Sequence, residues 1–139
     1  MAVHTDTIKM STAGNTDIQD ITGPVQAAIA RSGLKAGAVT VFAVGSTAGI
    51  TTVEYEPGLV HDLQRLFEEI APAARDYKHH ERWHDDNGHA HVRASLLGPS
   101  VVVPFVRGKL SLGTWQQIVF VDFDTRPRDR EIVVQIMGE

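Results

Sequence analysis

Residues Ala38 to Val44 form an almost unbroken apolar run rich in β-branched side chains, the pattern of a strand buried on both faces. Gly37 opens this run and a Gly45-Ser46-Thr47-Ala48-Gly49 turn closes it. On either side the periodicity changes from element to element. Val3 to Met10 alternates, with Val3, Thr5 and Thr7 on one face and His4, Ile8 and Met10 on the other, which predicts a first strand. Asp20 or Thr22 is placed to cap a short helix with Pro24 in its first turn, an apolar stripe of Val25, Ala28 and Ile29, and Gly33 as its stop. Ile50 to Tyr55 alternates again, putting Ile50, Thr52 and Glu54 on one face. Leu59, Leu63, Leu66, Phe67 and Ile70 recur at helical spacing until Pro72 ends the pattern. A polar loop from Ala73 to Gly88 follows. After Gly98 the pattern is β over Ser100–Val106, Leu110–Asp122 and Glu131–Met137, with turns at Gly108 and at Arg126-Pro127-Arg128. Six or seven strands on short turns beside a small number of helices predict an α+β fold with mostly antiparallel β-sheets and two or three helices. No repeat, linker or low-complexity stretch divides the chain, so residues 1–139 are read as a single domain.

Composition narrows the function classes. A formal charge of −4 gives no general attraction to a phosphate polymer, so nucleic acid is not an expected partner. No apolar run approaches the ~18 residues that a membrane span needs, and Met1 to Ser11 is mixed polar rather than signal-like. The expectation is a cytoplasmic protein with no membrane partner. The chain has no cysteine, which excludes disulfides, thiolate nucleophiles and iron–sulfur clusters and leaves nitrogen and oxygen as the donors for any metal.

Five of the seven histidines lie between His79 and His91, in the run Tyr77-Lys78-His79-His80-Glu81-Arg82-Trp83-His84-Asp85-Asp86-Asn87-Gly88-His89-Ala90-His91. On an extended backbone His89 and His91 project to one side and can chelate one ion, with His79 or His84 folding back as a third ligand and Asp85 or Asp86 completing or orienting the set. Three ligands and an open position make a Lewis acid for a phosphate or a water. A solvated loop of soluble residues is the plain alternative. Ser46 and Thr47, with the free amides of their Gly-flanked turn, can cradle a phosphate or serve only as a hairpin corner. Arg93, Arg107 and Lys109 can meet a phosphate or stay as surface charge. Trp115, in Gly113-Thr114-Trp115-Gln116, taken alone reads as structural.

The ordered set of motifs goes further than any one of them. Thr47-Ala48, Glu54, Asp86-x-x-x-x-His91, Ser95-Leu96-Leu97-Gly98, Val103-Pro104, Gly108, Gly113-Thr114-Trp115-Gln116, Arg128-x-Arg130 and Gln135 together resemble the YjbQ-like family, from about Ile18 to the C-terminus. The resemblance implies a small cytoplasmic α+β protein that assembles as a homotrimer. It also implies a secondary thiamine-phosphate synthase activity, joining a hydroxymethylpyrimidine diphosphate to a thiazole phosphate with loss of diphosphate.

Under it, Glu54, Asp86, His91, Trp115 and Gln116 are the catalytic candidates. Ser46, Thr47, Arg93 and Thr114 are the substrate-binding ones, and His79, His89 and His91 the metal ligands. A divalent ion is implied, Zn²⁺ by the imidazoles and Mg²⁺ by the diphosphate chemistry, and no organic cofactor is evident. Gly45 stands where many members have a His directly before the Thr/Ser pair. Two other readings stay open: a metal-dependent hydrolase with a His-ligated ion, and a non-catalytic trimer that binds a metabolite or metal.

Overall fold

The structure, a computed structural model, describes residues 1–139. In chain order the elements are β1 (Ala2–Thr12), β2 (Asp17–Asp20), α1 (Thr22–Ser32), β3 (Ala36–Ala43), β4 (Ala48–Val53) and α2 (Pro57–Ile70), followed by α3 (Lys78–Trp83), α4 (Gly88–Leu97), β5 (Ser100–Val106), β6 (Lys109–Leu110), β7 (Gln117–Asp122) and β8 (Arg128–Gly138). Every pairing is antiparallel. The α+β class stands, with four helices in place of the expected two or three.

The strands make a five-stranded sheet, β1-β8-β3-β5-β6, and a three-stranded sheet, β2-β7-β4. Their facing sides enclose the main core: Val39 and Val41 of β3, Val103 and Phe105 of β5, and Ile132, Val134 and Ile136 of β8 meet Ile50, Ile118 and Phe120 of the smaller sheet, with Val25 and Ile29 of α1 filling one end. The other side of the small sheet presents Ile18, Val119, Val121 and Phe123 to Phe67 of α2 and to Ala90 and Ala94 of α4. Phe67 and Phe123 meet edge to face with centroids 4.7 Å apart. The order of layers is therefore large sheet, small sheet, helices.

This layering revises the first expectation. β3 is buried on one face only: Phe42 is 41% and Val44 46% exposed. The strand buried on both faces is β7, where Ile118, Val119, Phe120 and Val121 alternate between the two cores, because only the middle layer has protein on each side. The expected strand Leu110–Asp122 is interrupted by the turn at Gly113–Gln116 and splits into β6 and β7. The outer face of the large sheet is uncovered, and across its centre it carries no charge: Val3, Thr5, Thr7, Ala38, Thr40, Phe42, Val102, Pro104, Val106, Val133, Gln135 and Met137 share it.

α1 begins where Asp20 accepts the Thr22 N–H at 2.9 Å, while the Thr22 hydroxyl accepts from Ile118 N. It ends at Gly33, whose φ of 72° is the left-handed conformation that closes a helix. α2 is capped by Glu56, whose carboxylate accepts from Gly58 and Leu59. Of its apolar stripe, Phe67 is buried while Leu66 and Ile70 stay about half exposed.

Candidate functional site

The histidine-rich segment is two helices at a sharp corner. His84 and Asp86 take φ of 53° each at that corner, and the buried amides of Asn87 and Gly88 are satisfied by Asp85 and by His80 Nε2. A helix turns about 100° per residue, so His89 and His91 point to opposite sides of α4 rather than sharing a face. His89 is buried at 4% exposure near Tyr77 and His80. His91 instead faces His79, with ring centroids 4.3 Å apart. The expected trio His79, His89, His91 is thus divided between two clefts, and no three His, Asp or Glu side chains converge tightly enough to enclose an ion.

The His79–His91 pair stands beside Asp85, whose Oδ1 lies 3.3 Å from His79 Nδ1 in an alignment that makes no hydrogen bond, so the sealed Nδ1 has no partner. Burial, and then the neighbouring His79, hold the His91 pKa below the usual imidazole value, so the His91 ring is neutral at pH 7. Asp85 is also one wall of a pocket of about 170 Å³ formed with Asn87, Asp124, Thr125, Arg126 and Arg128.

Asp124 organises that pocket. It accepts the Thr47 hydroxyl at 3.0 Å and the Asn87 amide at 3.2 Å, and pairs with Arg128 at 3.2 Å. Burial alone would push its carboxyl up; the hydrogen bonds from Asn87, Thr47 and Arg128 overcome this and hold it below the ordinary carboxylate value. Behind it, Asp122 takes Arg130 bidentately at 2.7 and 2.8 Å and the Thr12 hydroxyl at 2.5 Å. Two buried atoms of the pocket residues have no partner, Asn87 Oδ1 and Arg128 Nε. One accepts and the other donates, a complementary pair of unmet bonds.

The remaining expected residues fall elsewhere. Thr47 is in place as a donor to Asp124, and Ser46 is exposed next to it. Gly45 has φ of 139°, a conformation that side chains rarely adopt, and a Cβ there would sit 3.0 Å from the Arg130 guanidinium. Arg93, expected to bind substrate, is placed inside the protein and away from this pocket. It is 4% exposed and its guanidinium is used by Ala71 O, Thr16 Oγ1 and Glu68. Arg107 is in the β5–β6 turn and Lys109 in β6. Asp86 stands 93% exposed near His80, away from His91.

Glu54, Thr114, Trp115 and Gln116 lie at the opposite end of the small sheet, the Val53–Gln117 end, about 20 Å from Thr47 along six residues of strand. There Gln116 braces its own turn through Gly113 N and Thr52 Oγ1, and Trp115 is 74% exposed. Sequence reasoning passed over Asn87, Asp124 and Arg126. Their signal was a set of charges, Asp122, Asp124, Arg128 and Arg130, at i, i+2 spacing in otherwise apolar strands; charges facing a core are there to be paired.

Fold and site define a small, antiparallel α+β protein in which a charged interior corner joins an imidazole pair to an arginine-lined pocket. The family model described as UPF0047 protein YjbQ-like matches residues 6–139, and the chain belongs to that family. A UPF0047 protein of Archaeoglobus fulgidus is 40% identical over 131 residues, covering 94% of this chain and 98% of its own. YugU of Bacillus subtilis, another UPF0047 protein, is 35% identical over 95% of this chain and 98% of its own. A crystal structure of a YbjQ-like protein of Sulfolobus solfataricus superposes with a TM-score of 0.94 at 40% identity, with 99% of both chains covered. No helix of this chain is long and apolar enough to cross a membrane.

Proposed function

We propose that the corner between α3, α4 and Asp124 binds a small phosphorylated molecule and acts on it with the His79–His91 pair. The observation that carries this reading is the pocket of about 170 Å³ lined by Arg126 and Arg128 together with Asp85, Asn87, Asp124 and Thr125, next to the His79–His91 pair. Guanidinium groups match phosphate oxygens and stabilise charge as it builds on them. A neutral imidazole can take or give a proton at the same edge.

The specific reaction is the one the family resemblance implies. The thiazole nitrogen forms a C–N bond to the pyrimidine methylene while the C–O bond to diphosphate breaks and its electron pair leaves with diphosphate. In this chain Arg126 and Arg128 would hold the departing diphosphate and His91 would hydrogen-bond it. The divalent ion that the resemblance implies would have His79, His91 and Asp85 as donors, which suit a transition ion better than Mg²⁺, but within one subunit these three do not converge tightly enough to enclose it, so no step is routed through a metal. Trp115, Thr114, Gln116 and Glu54 would join this site only from a neighbouring subunit of a cytoplasmic homotrimer. The uncharged outer face of the large sheet supports self-association.

One observation favours a second reading, a hydrolase: the Asp85 carboxylate lies 3.3 Å from His79 Nδ1, and a small turn of the Asp85 side chain would make the hydrogen bond that orients an imidazole toward a water. Incubating the protein with the two phosphorylated halves and following their union and any free phosphate by ³¹P NMR separates the readings. Condensation that is lost in His91→Ala supports the transferase, and phosphate release from one half alone supports the hydrolase. Stabilisation by ligand with neither product leaves a binding trimer.

A further inference from the structure

The other face of the α3–α4 corner holds a second and larger cleft, about 490 Å³, whose polar walls include Arg75, Asp76, His80, Asp86, His89 and Thr125. Its volume is that of a site for an organic molecule rather than for an ion. His89 is more than nine-tenths buried beside it, with Nδ1 sealed from solvent and without a hydrogen-bond partner, which leaves Nε2 as the ring nitrogen able to meet a molecule in the cleft.

The protonation pattern of the two imidazoles follows from their surroundings. An orphaned buried N–H is rarer than an orphaned acceptor, so the bare nitrogen of His89 is Nδ1 and the proton is on Nε2. His80 Nε2 accepts the Gly88 N–H at 3.3 Å, so a neutral His80 carries its proton on Nδ1, the atom 4.0 Å from Asp86. Both rings therefore offer the cleft an N–H. One cation, Arg75, stands against two carboxylates, Asp76 and Asp86, which repels an anion while leaving the donors free.

We infer that this cleft is a binding site for a neutral organic group bearing carbonyl-type acceptors, such as a carboxamide or an oxo-heterocycle, read by the N–H groups of His89 and His80. It adjoins the arginine-lined pocket at Thr125, which lines both, but the inference does not depend on phosphate binding there.

Long-range ¹H–¹⁵N spectra of the full-length protein resolve each imidazole, and nicotinamide serves as the neutral probe, nicotinate as its charged counterpart and inorganic diphosphate as the probe of the other pocket. Nicotinamide is expected to move the His89 and His80 ring signals saturably, with a Kd in the range of about 0.1–10 mM, and nicotinate to bind more weakly. His89→Phe is expected to weaken nicotinamide about tenfold. If that variant does not fold, His80→Gln, in a half-exposed helix, is expected to show the same direction. Unmoved His89 and His80 signals at saturating nicotinamide, or nicotinate binding as well as nicotinamide, overturn the inference. A diphosphate response at His91, or its absence, bears on the arginine-lined pocket alone, so the two proposals fail separately.

Discussion

The two ends of the small sheet are built on opposite terms. At the Ala48–Asp122 end, charged groups are drawn inside: Asp122 is fully buried, Asp124 nearly so, and both are saturated by Arg128, Arg130, Thr12, Thr47 and Asn87. At the Val53–Gln117 end, Glu54, Thr114 and Trp115 stand in solvent and Gln116 bonds only to its own turn and the adjacent strand. A buried charge is strongly tied to its partners and fixes geometry, whereas an exposed aromatic is held by little within the subunit. The first end is rigidly organised and the second is loosely held within the subunit.

The sharpest way to break this contrast is at Arg130. Arg130→Met leaves Asp122 charged and buried without its bidentate partner, and urea unfolding should show a loss of about 3–5 kcal/mol. A loss under about 1 kcal/mol would mean that the charged end is not held by this pair.

Asp124→Ala should come next, at about 2 kcal/mol, because it strands the Thr47, Asn87 and Arg128 donors. The wild-type acid limb carries the signature of the same group. With a folded pKa below the unfolded one, Asp124 contributes stability that is full above about pH 4 and is lost as the pH falls through the folded value. Asp124→Asn should flatten that limb, and an unchanged slope would remove Asp124 from the set of groups held ionised by the fold.

His91 has the opposite protonation chemistry and gives a smaller, separate effect. Its folded pKa is depressed, so the unfolded chain binds more protons as the pH drops below about 6.5, and native stability declines there. His91→Gln should remove part of that slope between neutral and mildly acidic pH, as read by melting temperature against pH. The weakest effect belongs to the other end of the sheet. Trp115→Ala should change stability by no more than about 0.5 kcal/mol, yet lower turnover if a neighbouring subunit presents Trp115 to the site. Turnover unchanged in that variant would take Trp115 out of the shared site.

The elements with one strong period were legible before any coordinates. β1 shows its two faces as read, α1 stops at Gly33, and α2 ends before Pro72. α3 and α4 were not legible, because Lys78–Trp83 is a polar six-residue helix with no buried residue and α4 hides a short stripe of Ala90, Ala94 and Leu97 under histidines that read as a metal loop. That single misreading of period placed His89 beside His91. The apolar runs of β3 and β7 look alike in sequence, and only the layer order decides which is covered twice. Of the residues that meet at the charged corner, Thr47, His79 and His91 are named by residue type and resemblance. The role of Asp124 is not, since its partners Thr47, Asn87 and Arg128 come from three distant segments.

The most direct test of the charged corner as the binding end is calorimetric titration of inorganic diphosphate into the wild-type protein, Arg128→Gln and Trp115→Ala. The account predicts saturable binding that weakens about tenfold or more in Arg128→Gln and is retained in Trp115→Ala. Binding that survives Arg128→Gln unchanged, or that disappears in Trp115→Ala instead, would contradict it.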